Sequence, residues 1–199
     1  MFDKLTEWLF GVLSKPSSTL NEIAREKPVG LALLVYITVT LLVIILNVYE
    51  PGSAGALNEL MIQAGIYISP STLVFSSLLL ALVSLFISTG LLHLFARLFG
   101  GKGRFWNLFS AYAFADFPLI ISVPVTVFSG FLGAAGNILG GFISLGLSIW
   151  VLVLHVIAVR ESHGLSTGMT VLAYILHFLV LVAVPLAIIM IVVFAVFTF

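Results

Sequence analysis

Four side chains in this sequence can hold or move a proton inside an apolar environment: Asp116, His93, His155 and His177. Asp116 is the only carboxylate deep inside a hydrophobic segment. At the middle of a bilayer a carboxylate costs about 2.5–3.5 kcal/mol on insertion scales, so it calls for a partner or for water. Pro118 and Pro124 follow it. Each removes a backbone donor, leaving the carbonyls of Phe114 and Ile120 short of a partner. In lipid such groups must face protein or a wet cavity, so the neighbouring segments have to shield this one. Imidazole and carboxylate together suit a proton relay. Three His and one Asp also make a ligand set for a divalent transition metal, although no H-x-x-x-H spacing supports it. In the plainer role, Asp116 is neutral and hydrogen-bonded to a Ser or Tyr hydroxyl, or paired with a protonated His. The chain has no cysteine, which excludes thiolate chemistry and disulfides. Ser166 falls in a G-x-S-x-G string, Gly164 to Gly168, but between two apolar spans and after no strand, which is not the setting of an activated nucleophile. No enzyme and no cofactor are expected.

The elements that position these groups are membrane spans. Of 199 residues, 61% are hydrophobic and 8% charged, whereas soluble domains are about 25% charged. No solvated surface can be built from this mix, so the fold class is all-α, a polytopic integral membrane protein of the cell membrane. Net charge is zero, which argues against a nucleic-acid partner. Asp3 and Glu7 lie near the N-terminus, and no long apolar core precedes Pro16, unlike a signal peptide.

Residues 2–14 place Phe2, Leu5, Leu9, Val12 and Leu13 on one helical face. This amphipathic helix is too short to span, so it lies among headgroups or packs on the bundle. Lys15-Pro16 ends it, and Thr19-x-x-Glu22 reads as a capping box that opens a polar helix through Lys27. The chain divides into this N-terminal segment, 1–27, and a membrane domain, 28–199. Five spans are expected: 28–49, 70–98, 105–128, 138–159 and 169–199. A short surface helix over 55–68 separates the first two. The second span is long enough to tilt, and Pro185 interrupts the fifth. Gly136-x-x-x-Gly140 lets helices approach closely, more readily within one chain than between copies.

Charge sets the topology. All eight Lys and Arg fall before the first span, around the turn after the second, or after the fourth. Five spans put these three places on one side. The positive-inside rule then makes the N-terminus cytoplasmic and the C-terminus outside.

Polar residues recur at helical spacing on the spans: Tyr36, Thr40 and Asn47; Ser77, Ser84 and Ser88; Thr89, His93 and Arg97; Ser144, Ser148 and His155; Thr170, Tyr174 and His177. Interhelical hydrogen bonding is the ordinary use of such stripes. Counted from the nearest turn at 1.5 Å per residue, His93 and His155 lie about 6–8 Å deep and His177 and Asp116 about 14 and 18 Å. All four can therefore line one cavity open to the cytoplasm. Gly100-Gly101-Lys102-Gly103 lacks the rest of a phosphate-binding loop and reads as a tight basic turn. Its Lys102 and Arg104 sit at headgroup level, and Trp106 suits the interfacial belt.

Three stretches resemble the Yip family of Ypt/Rab-interacting membrane proteins, in its short prokaryotic branch. They are LSKPSSTLNEIAREKP, LLHLFARLFGGKGRFWNLFSAYAFADFPLII and IWVLVLHVIAVRESHGLSTGMTVLAY. The pattern H-x-x-x-R-x-x-GGKG-x-F, followed by an aromatic-alanine run and Pro118, is the most specific part. The resemblance implies a five-helix Yip-type domain with a cytoplasmic N-terminus. Eukaryotic members act in vesicle traffic, bind prenylated Rab GTPases and associate with themselves and their relatives. Their longer cytosolic N-terminal region, with its Tyr- and Pro-containing motif, has no counterpart here, so Rab-type GTPase binding is not expected to carry over. The expected function is non-enzymatic association with lipids, with itself or with other membrane proteins. The alternative is a proton- or metal-ion-conducting transporter that uses the Asp/His set.

Overall fold

A computed structural model describes residues 2–49 and 63–198. Among these residues there is no strand, and five helical segments are long and apolar enough to cross a membrane. Two short helices lead, α1 (Phe2–Ser14) and α2 (Pro16–Glu26). The first two spans are α3 (Val29–Tyr49) and α4 (Pro70–Leu98). The third is α5 (Phe105–Ala115), a 3-10 turn (Phe117–Ile121) and α6 (Ser122–Phe131). The last two are α7 (Gly133–His163) and α8 (Thr167–Thr198). Most of the surface helix expected over 55–68 lies outside the described residues; beyond Gln63 its described part is turn and coil.

The third span is not one helix, and the prolines explain where it divides. Pro118 sits at the start of the 3-10 turn and Pro124 in the first turn of α6. A missing N–H is tolerated at such positions, because the first amides of a helix have no intrahelical partner anyway. Pro185, by contrast, does not interrupt α8, which runs unbroken through it. One lost hydrogen bond is not enough to end a helix in a medium that offers its backbone no other partner.

The 11-residue α5 is the axis of the bundle. Every residue from Leu108 to Asp116 is buried. Helices α2, α3, α4 and α7 pack around it, and α1 touches it at its inner end. A helix apolar on all sides can be stable only if enclosed, and small Ala111, Ala113 and Ala115 let its neighbours close in. Helix α8 lies at the edge of this cluster, mainly against α4 and α7, and turns most of its surface outward.

Of the two placements open to α1, the structure adopts the one against the bundle. Trp8 and Val12 are fully covered, with Leu5 and Leu9 partly buried beside them. The Trp8 ring meets Phe114 edge-on at 5.7 Å, and its indole N–H donates to Glu22 at 3.1 Å. Lys4 pairs with Glu22 and Glu26. The expected capping box does not form. Pro16, with its fixed φ, starts α2 four residues earlier, and Lys15 is the N-cap. Thr19 is instead buried inside α2 and faces Gly11, where a Cβ would run into its side chain. The 11-residue hairpin arm α2 is thereby drawn close to α1.

Gly136 and Gly140 serve packing within the chain. A Cβ on the first would strike the Ser129 carbonyl, and on the second the Ser129 hydroxyl, so they let α7 lie tightly on α6. The three basic clusters share one face. Ser17 and Asn21 of α2 donate to Glu161 near the end of α7, at 2.6 and 3.0 Å. In the turn between α4 and α5, the Lys102 N–H donates to the His163 carbonyl at 3.0 Å. Gly100 takes φ +87°, a left-handed conformation that suits glycine. Gly103 lies so close to the Ser162 carbonyl that a Cβ would overlap backbone.

Gly103→Ala should therefore destabilise the fold by about 1–3 kcal/mol, the usual cost of overpacking. Gly90→Ala, where a Cβ meets nothing within 4 Å, should leave stability unchanged or slightly raised. Thermal unfolding in detergent distinguishes the two, and equal melting temperatures would refute the close-approach account of the turn.

Candidate functional site

Asp116 ends α5, where Pro118 prevents the helix from continuing, so its carboxyl group is set at the break of the third span. Only 9% of the residue is exposed. The partner comes from α7: Nε2 of His155 stands 2.9 Å from Oδ1 of Asp116. The two are at ion-pair distance, but the carboxylate lies off the direction of a hydrogen bond from the ring. The imidazole is held from two other sides. Tyr112, one turn before Asp116 on α5, stacks flat on it, with centroids 3.8 Å apart and planes within 4°. The Tyr174 hydroxyl, from α8, lies 3.4 Å from its Nδ1. With the proton on Nε2, facing the carboxylate, Nδ1 is free to accept from Tyr174.

His177 follows Tyr174 by one turn of α8, with ring centroids 5.5 Å apart. It is buried, and neither ring nitrogen has a hydrogen-bond partner among the described residues. The three helices α5, α7 and α8 thus each deliver at least one polar side chain to a common level. Tyr36 braces the same region by donating from α3 to the Ala81 carbonyl of α4, at 3.0 Å.

His93 does not join this group. It lies on the basic face, with its Nδ1 2.9 Å from Nε2 of His163, whose Nδ1 is in turn 3.0 Å from the Ser162 hydroxyl. The four-residue metal set considered from the sequence is therefore not assembled. Among the described residues no three His, Asp or Glu side chains come together in a way that could hold a metal ion. The reason is axial distance: His93 is in the last turns of α4 beside the basic turn, whereas Asp116 stands at the far end of α5.

Two participants were not legible in the sequence. His163 falls in what reads as a polar turn, yet α7 continues through it and only 2% of it is exposed. The signal was indirect: Gly101 and Gly103 permit the close approach that covers it. Glu161, which lies between the fourth and fifth expected spans, accepts from Ser17, Asn21 and Arg160, and so joins α2 to α7. The amides of the glycine turn are committed to protein carbonyls, that of Gly101 to Ala96 at 2.8 Å and that of Lys102 to His163. They are not arranged to cradle a phosphate. Pro118, the last element of the sequence pattern, is buried in the 3-10 turn.

The pattern that spans the basic turn and Pro118 thus coincides with the axial helix and its enclosure. The family model described as the Yip1 domain matches residues 10–197. The chain belongs to the Yip1 family. The match takes in α2 to α8 and the second half of α1, so the whole enclosure of Asp116 lies within the Yip1 domain. No curated protein and no solved structure matches the chain. The Yip1 domain here is a multi-pass membrane fold, and its polar centre sets a carboxyl group beside an imidazole.

Asp116→Asn should cost about 1–3 kcal/mol by leaving His155 Nε2 in the interior without its carboxyl partner. A double-mutant cycle with His155→Gln checks this: the two changes together should cost clearly less than the sum of each alone. Additive losses in denaturant or thermal unfolding would show that the two side chains do not interact.

Proposed function

We propose that this Yip1-domain protein works by association rather than catalysis, in the cell membrane. Its N-terminus is cytoplasmic, its C-terminus outside, and its partners are lipids, further copies of itself or other membrane proteins. Residues 1–27 form the contact segment and residues 28–199 the membrane unit. The observation that carries this reading is the docking of α1. With Trp8 and Val12 clamped into the bundle, the opposite side of α1 presents Phe10, which is 69% exposed, and the margin residue Leu13. An apolar side chain held outward on a rigid helix at the interface is suited to headgroups or to the flank of another membrane protein. The enclosure of Asp116 fits the same reading, because a buried carboxyl–imidazole contact that ties α5 to α7 favours one fixed arrangement over a moving one.

Phe10→Ser with Leu13→Ser tests it without disturbing the clamp. The variant should keep its melting temperature and lose at least half of its partner capture, self-association or curvature-dependent lipid binding, measured in nanodiscs and vesicles of graded diameter. Unchanged association in all three would defeat the proposal.

A second reading, proton transport, is favoured by one observation, the pairing of Asp116 with His155 next to the unpartnered His177. In liposomes loaded with a pH-sensitive dye it requires a proton leak that Asp116→Asn abolishes. The absence of any leak in the wild-type protein would end it.

A further inference from the structure

The charges of this protein are distributed so that one turn carries the excess. The α1–α2 segment holds Lys4, Lys15, Arg25 and Lys27 against Asp3, Glu7, Glu22 and Glu26, and is neutral as a whole. Lys4 is paired within it, and Arg160 is paired with Glu161 at 2.7 Å. Arg97, Lys102 and Arg104 remain. All three are exposed, none has an ion pair among the described residues, and no acidic residue lies between Arg97 and Asp116. The basic face as a whole therefore owes its net positive charge to the turn between α4 and α5.

That turn is also rigid and bordered by lipid-facing side chains. The Gly101 and Lys102 amides tie it to α4 and to the end of α7, so its position is set by three helices. Leu94 and Leu98 on α4 and Trp106 on α5 are exposed beside it. Cations above apolar side chains, at the level where a belt tryptophan sits, meet both parts of one amphiphile: a phosphate with the cations, acyl chains with the leucines and the indole.

We propose that Arg97, Lys102 and Arg104 form a binding site for the headgroup of an anionic glycerophospholipid. The site is preorganised by the glycine turn and separate from the outward face of α1. It selects for charge rather than for curvature. An acidic protein segment could meet the same cations, but it would gain nothing from Leu94, Leu98 and Trp106.

The test uses the full-length protein in phosphatidylcholine vesicles with a minor fraction of spin-labelled phosphatidylglycerol, compared with spin-labelled phosphatidylcholine. The wild type should enrich the anionic probe at its surface, and added salt should reduce the enrichment. The triple change Arg97→Gln, Lys102→Gln, Arg104→Gln should remove it, with a loss of roughly five-fold in relative affinity per charge at low salt. The triple change Lys15→Gln, Arg25→Gln, Lys27→Gln should leave it within two-fold. Should the first variant fail to fold, Lys102→Gln and Arg104→Gln made singly carry the same test, since both side chains are exposed. Equal selectivity in the turn variants and the wild type would overturn the site, as would a loss confined to the α2 variant. So would a turn that binds an acidic peptide while lipid selectivity is unchanged.

Discussion

A carboxyl group at the end of an enclosed helix is the constraint on which this structure turns. Asp116 cannot face hydrocarbon, and α5 cannot move away from it, so the bundle closes around both. His155 supplies the polar partner from α7, Tyr112 fixes the plane of that imidazole, and Tyr174 reaches the other ring nitrogen from α8. Breaking a buried pair costs far more than the pair contributes relative to an apolar replacement. Its effect is thus to specify which helices meet and at what depth, more than to add net stability. The small alanines of α5 serve the same end, since they bring α3, α4 and α7 near enough for the polar groups to touch.

The basic face is organised on a different principle, by backbone. The glycine turn gives its amides to Ala96 and His163, and the absence of side chains at Gly101 and Gly103 allows the end of α7 to come within contact. Glu161 then receives Ser17 and Asn21 from α2. Through these bonds the N-terminal hairpin and both turns become one surface. The hairpin is therefore bonded into the basic face, although its composition is that of a polar segment.

Much of this could be read before any coordinates. Hydropathy marks the five spans because the mean over each is high despite scattered polar residues, and charge position gathers three clusters on one face. Asp116 stood out because nothing else charged lies so deep in an apolar run. Where sequence and structure part, tertiary packing overrides a local rule. Thr19 looks like a cap but is a contact under Gly11, Pro185 looks like a break but lies within α8, and His163 looks like a turn residue but ends α7 in the interior. His93 has the composition of a ligand and the depth of an interfacial residue, and only the relative placement of α4 and α5 separates it from Asp116.

Helices α4, α7 and α8 have 29, 31 and 32 residues. At 1.5 Å per residue these are about 44–48 Å, against a hydrocarbon layer of about 30 Å. Lipid beside them must stretch, or the helices must lean, at a cost of fractions of a kcal/mol per Å. Membrane thickness thus becomes a variable that bears on the tilt of this bundle, and with it on the angle at which the N-terminal hairpin, bonded to the end of α7, is carried.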